Sequence, residues 1–212
     1  MKRCMFFTTS LVLFAFGCAL FSAHAEIHQH MLTIDATARG NWAYVNLLAE
    51  EVVKVNDAKT AMEWALGFKR TESIVNGGVS GPGAGGAIAL KDVAYEDVLE
   101  TPEGDYVADT EQIATFARGD RWYTYTGPPN HWVLPNAKVY VLQTADGNFA
   151  KIRFIGYYEN NETKEGAANI SIEYALQDDG SRNLVEVESQ PASVDARQKA
   201  TTTWTAIKQT RR

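Results

Sequence analysis

The chain has 212 residues, with 20 Lys and Arg against 26 Asp and Glu, a formal net charge of −6 at pH 7 and 45% hydrophobic residues. An acidic balance without any long basic run excludes nucleic acid and anionic membrane surfaces as natural partners. The apolar fraction is enough for one buried core, so a single domain is expected.

Lys2 and Arg3 open the chain, residues 11–21 form an apolar stretch, and Ala23-His24-Ala25 has the small-x-small pattern that signal peptidase cuts. Residues 1–25 therefore read as a signal peptide, with the mature chain starting at Glu26. The apolar stretch is shorter than the roughly 20 residues that cross a bilayer as a helix, so no transmembrane segment is expected in the mature chain. A rival reading makes Cys18 a lipidated residue, since Ala15-Phe16-Gly17-Cys18 sets a small residue before cysteine. Phe16 is bulky for that pattern and Ala23-x-Ala25 is the cleaner site. Both cysteines, Cys4 and Cys18, lie within this segment, so the mature chain holds no disulfide and no thiol chemistry. It keeps 187 residues and, without Lys2 and Arg3, 18 basic against 26 acidic residues, a net charge of −8. The expected location is the periplasm, the outer-membrane surface or the medium.

Beyond this segment the dominant period is two. Short β-branched or aromatic runs at 31–37, 42–48, 52–55 and 64–70, separated by Gly, Asn and Asp, read as strands. His28-Gln29-His30, just before them, reads as a loose terminus with at most weak affinity for a metal. The loop 76–87, NGGVSGPGAGGA, contains a literal G-x-G-x-x-G at Gly81, Gly83 and Gly86. A dinucleotide site needs a strand before that motif and a helix directly after it, whereas Ile88-Ala89-Leu90 follows here. The segment reads instead as a mobile or tightly turned surface loop. Residues 93–99 and 194–200 each have room for a turn or two of helix.

Residues 122–158 read as three strands and two turns around a lone histidine. Alternation sets Trp122, Thr124 and Thr126 opposite Tyr123 and Tyr125, and Val139, Val141 and Gln143 opposite Tyr140, Leu142 and Thr144. On the returning strand, Phe149, Lys151, Arg153, Ile155 and Tyr157 oppose Ala150, Ile152, Phe154, Gly156 and Tyr158. One face is apolar and the other mixed, as in a half-exposed antiparallel sheet. Asp146-Gly147 supplies the hairpin turn, because glycine tolerates the positive φ that such turns need. Strands also fit 170–176 and 184–188, joined through Asp178-Asp179-Gly180-Ser181. The expected fold is all-β and predominantly antiparallel, one domain of about ten strands over residues 26–190 with little helix. A polar tail over 191–212 is either loosely held or adds a last strand at 202–208.

No catalytic set assembles, and no enzyme is expected. Serine catalysis requires a histidine base, yet His28 and His30 lie within five residues of the new N-terminus and no G-x-S-x-G elbow is present. Glu50-Glu51 and Asp178-Asp179 read as solvated turn carboxylates. His131 stands apart. Pro128 and Pro129 before it, and Trp132 and Pro135 after it, restrict its loop beside a strand that carries Tyr123 and Tyr125. Such surroundings suit an imidazole that ligates haem iron; a histidine that caps or hydrogen-bonds within its own loop is the competing reading.

Several separated segments resemble the HmuY family of bacterial exported haem-binding proteins. They are Thr33-Ile34-Asp35-Ala36-Thr37 followed by Trp42, Trp64-Ala65-Leu66-Gly67-Phe68-Lys69-Arg70, the glycine loop 76–87, and above all 138–158 around Thr144-Ala145-Asp146-Gly147-Asn148-Phe149-Ala150-Lys151-Ile152. Their order and spacing match over roughly 33–176. The resemblance implies an almost all-β fold and a haemophore that captures haem outside the cell and passes it to a TonB-dependent outer-membrane receptor. It also implies iron held between two axial histidines from neighbouring loops, and here this chain departs from the pattern. Residues 111–121, EQIATFARGDR, carry neither histidine nor methionine, and the second ligand would fall near Thr126 or Gly127, a few residues before His131. His131 is thus the one candidate cofactor-binding and iron-ligating residue, with Tyr123 or Tyr125 as an oxygen partner. The alternative is an envelope β-domain acting as a non-haem binding, adhesion or scaffold module.

Overall fold

A computed structural model describes residues 27–117, 121–136 and 138–185. The expected signal peptide over 1–25, both cysteines and the tail over 191–212 lie outside the described residues. In chain order the strands are β1 (Ile27–Asp35), β2 (Ala43–Asn46), β3 (Glu51–Val53), β4 (Leu66–Lys69), β5 (Glu72–Val75), β6 (Gly86–Ala89), β7 (Tyr123–Tyr125), β8 (Val133–Pro135), β9 (Val139–Gln143), β10 (Phe149–Asn160) and β11 (Glu165–Gln177). Helix is confined, among the described residues, to short 3-10 turns at Tyr95–Asp97 and Thr115–Ala117.

The all-β expectation holds: every strand pairing is antiparallel. A five-stranded sheet runs β1-β11-β10-β9-β6, a four-stranded sheet β3-β2-β4-β5, and β7 and β8 make a small ribbon of their own. Alternation on β11 buries Ala168, Ile170, Ile172, Tyr174 and Leu176, which join Ile34 of β1 and Ala150, Ile152 and Phe154 of β10 in one cluster. The same cluster takes Val45, Leu66, Phe68 and Val75 from the four-stranded sheet, so the two sheets share a core. Each fully buried aliphatic or aromatic side chain there stabilises by about 1.5–3 kcal/mol. Tyr174 ties the layers together, its hydroxyl donating to the Leu47 carbonyl at 2.8 Å.

The half-exposed sheet expected over 139–158 is covered on both sides. Val139 and Val141, on the outward face, pack with Tyr95, Val98 and Leu184 in a second cluster. Lys151 is 3% exposed. Arg153 extends from the same face to Glu173 at 2.7 Å and Glu96 at 3.1 Å. The covering residues come from 95–98 and 184, segments that the period of 139–158 cannot reveal.

Other boundaries shift for identifiable reasons. Residues 122–158 contain four strands, because β8 forms within the proline-rich loop despite Pro135, at the edge of a ribbon where a missing N–H is tolerated. The expected loose terminus at 28–30 is part of β1, whose Ile27–Asp35 pairs with Asn169–Gln177 of β11. In place of the strand expected at 184–188, Asn183 bridges to Glu100 and Leu184 is buried; 186–188 lie outside the described residues.

The glycine loop is tightly turned and packed inward rather than mobile at the surface. Asn76 is fully buried; its Nδ2 donates to the carbonyls of Ala61 (3.0 Å) and Trp64 (2.8 Å), and its Oδ1 accepts from the Gly83 N–H (3.2 Å). A Cβ on Gly85 would lie 2.4 Å from the Asn76 carbonyl oxygen, and one on Gly81 2.0 Å from Asn76 Oδ1. The glycines admit backbone around a buried amide, and Gly86 starts strand β6, so no helix follows the motif.

Candidate functional site

Strands β7 and β8 pair Tyr123 with Pro135, Thr124 with Leu134 and Tyr125 with Val133. Asn136 secures the base, donating through its backbone N–H to the Trp122 carbonyl (2.8 Å) and through Nδ2 to that of Arg121 (2.6 Å). Val133 anchors the ribbon to the body: its side chain is buried and its N–H donates to the Tyr158 hydroxyl at 2.9 Å. Trp122, outside the ribbon and buried, stacks on Phe154 with centroids 4.5 Å apart and donates Nε1–H to the Thr71 carbonyl at 3.2 Å.

At the far end the loop closes through Thr126 N–H to the Trp132 carbonyl (2.9 Å), Trp132 N–H to Thr126 Oγ1 (3.0 Å) and His131 N–H to the Gly127 carbonyl (2.8 Å). Gly127 has φ 67° and His131 has φ 55°. Histidine is among the residues that adopt this left-handed conformation more readily, and Glu50, Arg70, Asp92, Lys164 and Ala168 share it in this chain. Here His131 Nδ1 is hydrogen-bonded to the Tyr125 hydroxyl, with the two rings 5.8 Å apart. Of the two tyrosines named from sequence, Tyr125 meets His131, while the Tyr123 hydroxyl accepts from Arg121 at 3.3 Å.

The hydrogen bond governs what the imidazole can do. If the phenol donates, Nε2 carries the ring proton; if Nδ1–H donates to the phenolic oxygen, Nε2 presents its lone pair. The second tautomer is the one in which histidine ligates a metal while its other nitrogen is held by a neighbour. His131 is exposed, Tyr125 is 54% exposed and Trp132 38% exposed, so an imidazole stands beside two accessible aromatic rings. Of the groups here, His131 Nε2 could hold a haem iron, with Tyr125 and Trp132 as flanking rings. No group of three or more His, Cys, Asp or Glu is placed to hold a bare metal ion among the described residues.

His30 has different work. Its Nε2 lies 2.9 Å from Glu50 Oε1 and its ring 5.9 Å from Tyr174, joining β1 to the turn before β3.

A feature the sequence reading missed lies next to the ribbon. A cleft of about 530 Å³ is walled by Trp42, Ser73, Asp109, Phe116, Trp122 and Tyr123, among others. That size falls within the usual range for small-molecule sites. Asp109 builds its back wall: Oδ2 accepts from Val75 N–H at 2.9 Å and Oδ1 from Thr115 N–H at 2.6 Å, fastening β5 to the 3-10 turn. The walls come from segments scattered between 42 and 123, so no local pattern marks the cleft.

A family model described as HmuY protein matches residues 38–174. The chain belongs to the HmuY family. Solved structures agree at the level of fold. An apo HmuY analog of Tannerella forsythia shares 21% identity at a TM-score of 0.52, covering 72% of this chain and 97% of that one. A Bacteroides vulgatus chain provisionally named an HmuY-like heme-binding protein shares 20% identity at 0.52, over 76% and 94%. A Bacteroides fragilis chain provisionally named a lipoprotein shares 22% at 0.50, over 76% and 91%. No curated protein matches in sequence. No helix among the described residues is long and apolar enough to cross a membrane.

Proposed function

We propose that this HmuY-family chain is a non-catalytic haem carrier of the cell envelope, with His131 Nε2 as an axial ligand to the iron. The observation that carries the reading is the Tyr125–His131 hydrogen bond, which orients the imidazole on a loop closed by backbone bonds and by the Thr126 hydroxyl. Family membership and the heme-binding name of the Bacteroides vulgatus relative support the choice of ligand. Haem would supply the iron and the apolar macrocycle; this chain would hold the imidazole in its ligating tautomer and offer Tyr125 and Trp132 as flanking rings.

The same reading has residues 1–25 removed as a signal peptide after Ala25, the β domain over 26–190 carrying haem, and a TonB-dependent outer-membrane receptor as the recipient. The lipoprotein name of the Bacteroides fragilis relative supports an envelope location and keeps lipidation at Cys18 as the competing form of anchoring.

Titration of the purified mature chain with haemin is the test. A saturable Soret band is expected, and His131→Ala should weaken or shift it. An unchanged spectrum in that variant removes His131 from the site. Absence of saturable haem binding in the wild-type chain favours the second reading, a non-haem binding, adhesion or scaffold module, which the exposure of His131 at a loop tip also supports.

A further inference from the structure

We propose that Arg121 is a specificity-determining residue of the haem site: it receives a carboxylate at the porphyrin edge and makes this chain prefer a dicarboxylate porphyrin to an uncharged one. The inference rests on the reading of His131 as the iron ligand. It starts from a row of side chains on one face of the ribbon. Arg121, Tyr123 and Tyr125 follow one another at intervals of two residues, and alternation brings them to the same side while Trp122 turns into the core. Contacts tie both ends of the row. The Arg121 guanidinium donates to the Tyr123 hydroxyl at 3.3 Å and lies 5.9 Å from the centroid of that ring, and the Tyr125 hydroxyl is hydrogen-bonded to His131. At the usual strand rise, the backbone from residue 121 to residue 125 spans roughly 13 Å, a length that a porphyrin and its acid side chains can cover.

Charge singles out Arg121. It is the one cation that lines the adjoining cleft among the described residues, and it shares that lining with Glu72, Asp109 and Glu111. Two of these carboxylates are committed: Glu72 pairs with Lys69 at 3.2 Å, and Asp109 accepts from the N–H groups of Val75 and Thr115. Arg121 has no ion pair among the described residues and its side chain is exposed. An acid group approaching this acidic lining is therefore received at Arg121 or repelled.

The bond that Arg121 now makes is one it can exchange. At 3.3 Å to a neutral phenol it is longer than the usual range and about half as strong as a charge-assisted bond. A carboxylate fits the planar fork through two parallel N–H···O bonds, which a lysine could not supply. Tyr123 pre-places the guanidinium on the ribbon face, and this lowers the cost of ordering it when a ligand binds.

Haemin and its dimethyl ester, which keeps the iron and the ring but lacks both charges, are each titrated from dimethyl sulfoxide into the mature wild-type chain and into Arg121→Gln, at low and at high salt. In the wild type, haemin should bind about fivefold more tightly than the ester, the upper range for a solvent-exposed ion pair, and the ratio should shrink as salt rises. Arg121→Gln should bring haemin down to the affinity of the ester, leave the ester unchanged and keep the wild-type Soret position, since the iron ligand is untouched. Its thermal midpoint without haem should match the wild type, because the side chain is exposed. Equal wild-type affinities for acid and ester, or an equal loss of both porphyrins in Arg121→Gln, overturns the role of Arg121 and leaves His131 in place. Failure of the wild type to saturate with either porphyrin overturns the haem reading, and this inference with it.

Discussion

Lys151 is held by Tyr95 in two ways at once: its Nζ donates to the Tyr95 carbonyl at 3.1 Å and lies 4.5 Å from the centroid of the same residue's ring. The Arg153 guanidinium is also 4.5 Å from that ring. A cation almost fully removed from water is tolerated when such partners replace its hydration. The contact fastens the 3-10 turn over the outer face of the five-stranded sheet.

Tyr95→Ala should therefore cost more than its lost area, because it strips the ring from a buried ammonium. A loss of about 3–5 kcal/mol is expected from the cavity and the lost cation–π contact, read as a lower denaturant midpoint. Lys151→Met, which keeps the stem and removes the charge, should change stability by less than about 1.5 kcal/mol. A larger loss for Met than for Tyr95→Ala contradicts this account.

Asn76→Ala should remove three hydrogen bonds from a residue with no exposed surface. Stranding even two of the backbone groups it serves costs about 2–6 kcal/mol, so the thermal midpoint should fall by many degrees. Asn76→Asp should be nearly as damaging, since it replaces two donors that face carbonyls with an acceptor. Wild-type stability in the aspartate variant would remove the amide from its central role.

Alkaline pH should destabilise the protein through Tyr174. Burial pushes its phenol up to about 12, with Glu50 adding to the rise, from an ordinary value near 10. The unfolded chain thus loses this proton first, so stability falls as pH rises from about 10 to about 12 and is unaffected below that window. Burial raises Tyr44 and Tyr157 in the same direction. Chemical denaturation across this range should show a flatter decline for Tyr174→Phe, which also forfeits the bond to Leu47 and starts from lower stability.

Tyr125→Phe should leave the fold intact, because the side chain is 54% exposed and its hydroxyl serves His131. Stability is expected within about 0.5 kcal/mol of wild type. Haem affinity should nevertheless fall about tenfold or more, with a shifted Soret band, as the neighbour that holds the ligating tautomer is lost. Unaltered haem spectra and affinity would separate Tyr125 from the ligand.

Local chemistry made part of this fold legible. Asp146-Gly147 marks a turn in which Gly147 takes φ 91° and Thr144 N–H reaches the Asn148 carbonyl at 2.8 Å. The alternation over 170–176 reports the inner face of β11 faithfully. What could not be read was whatever depends on distant partners. The mixed face of β10 looks solvated until residues 95–98 are laid over it, and Asn76 looks like a turn residue until the glycines fold around it. The prolines at 128, 129 and 135 argue against a strand, yet β8 forms where Tyr125 and Tyr158 give Val133 its pairing. For the site, sequence singled out His131 and the loop around it; Tyr125 entered as one of two candidates, and the geometry distinguishes them. The cleft has no sequence signal, since its walls meet only after both sheets and the ribbon are in place.

The pairing of β1 with β11 has a consequence for the order in which the molecule can be completed. Residues 27–35 are made early, but their partners are 169–177, and β11 itself lines up on β10 through a turn of a few residues. The local hairpin closes quickly, whereas the edge strand must wait for almost the whole chain. A chain threaded through a pore N-terminus first would therefore emerge with Ile34 exposed and its sheet unfinished until residue 177 is through. Closure of the five-stranded sheet is delayed by topology, because β1 has no partner until β11 follows.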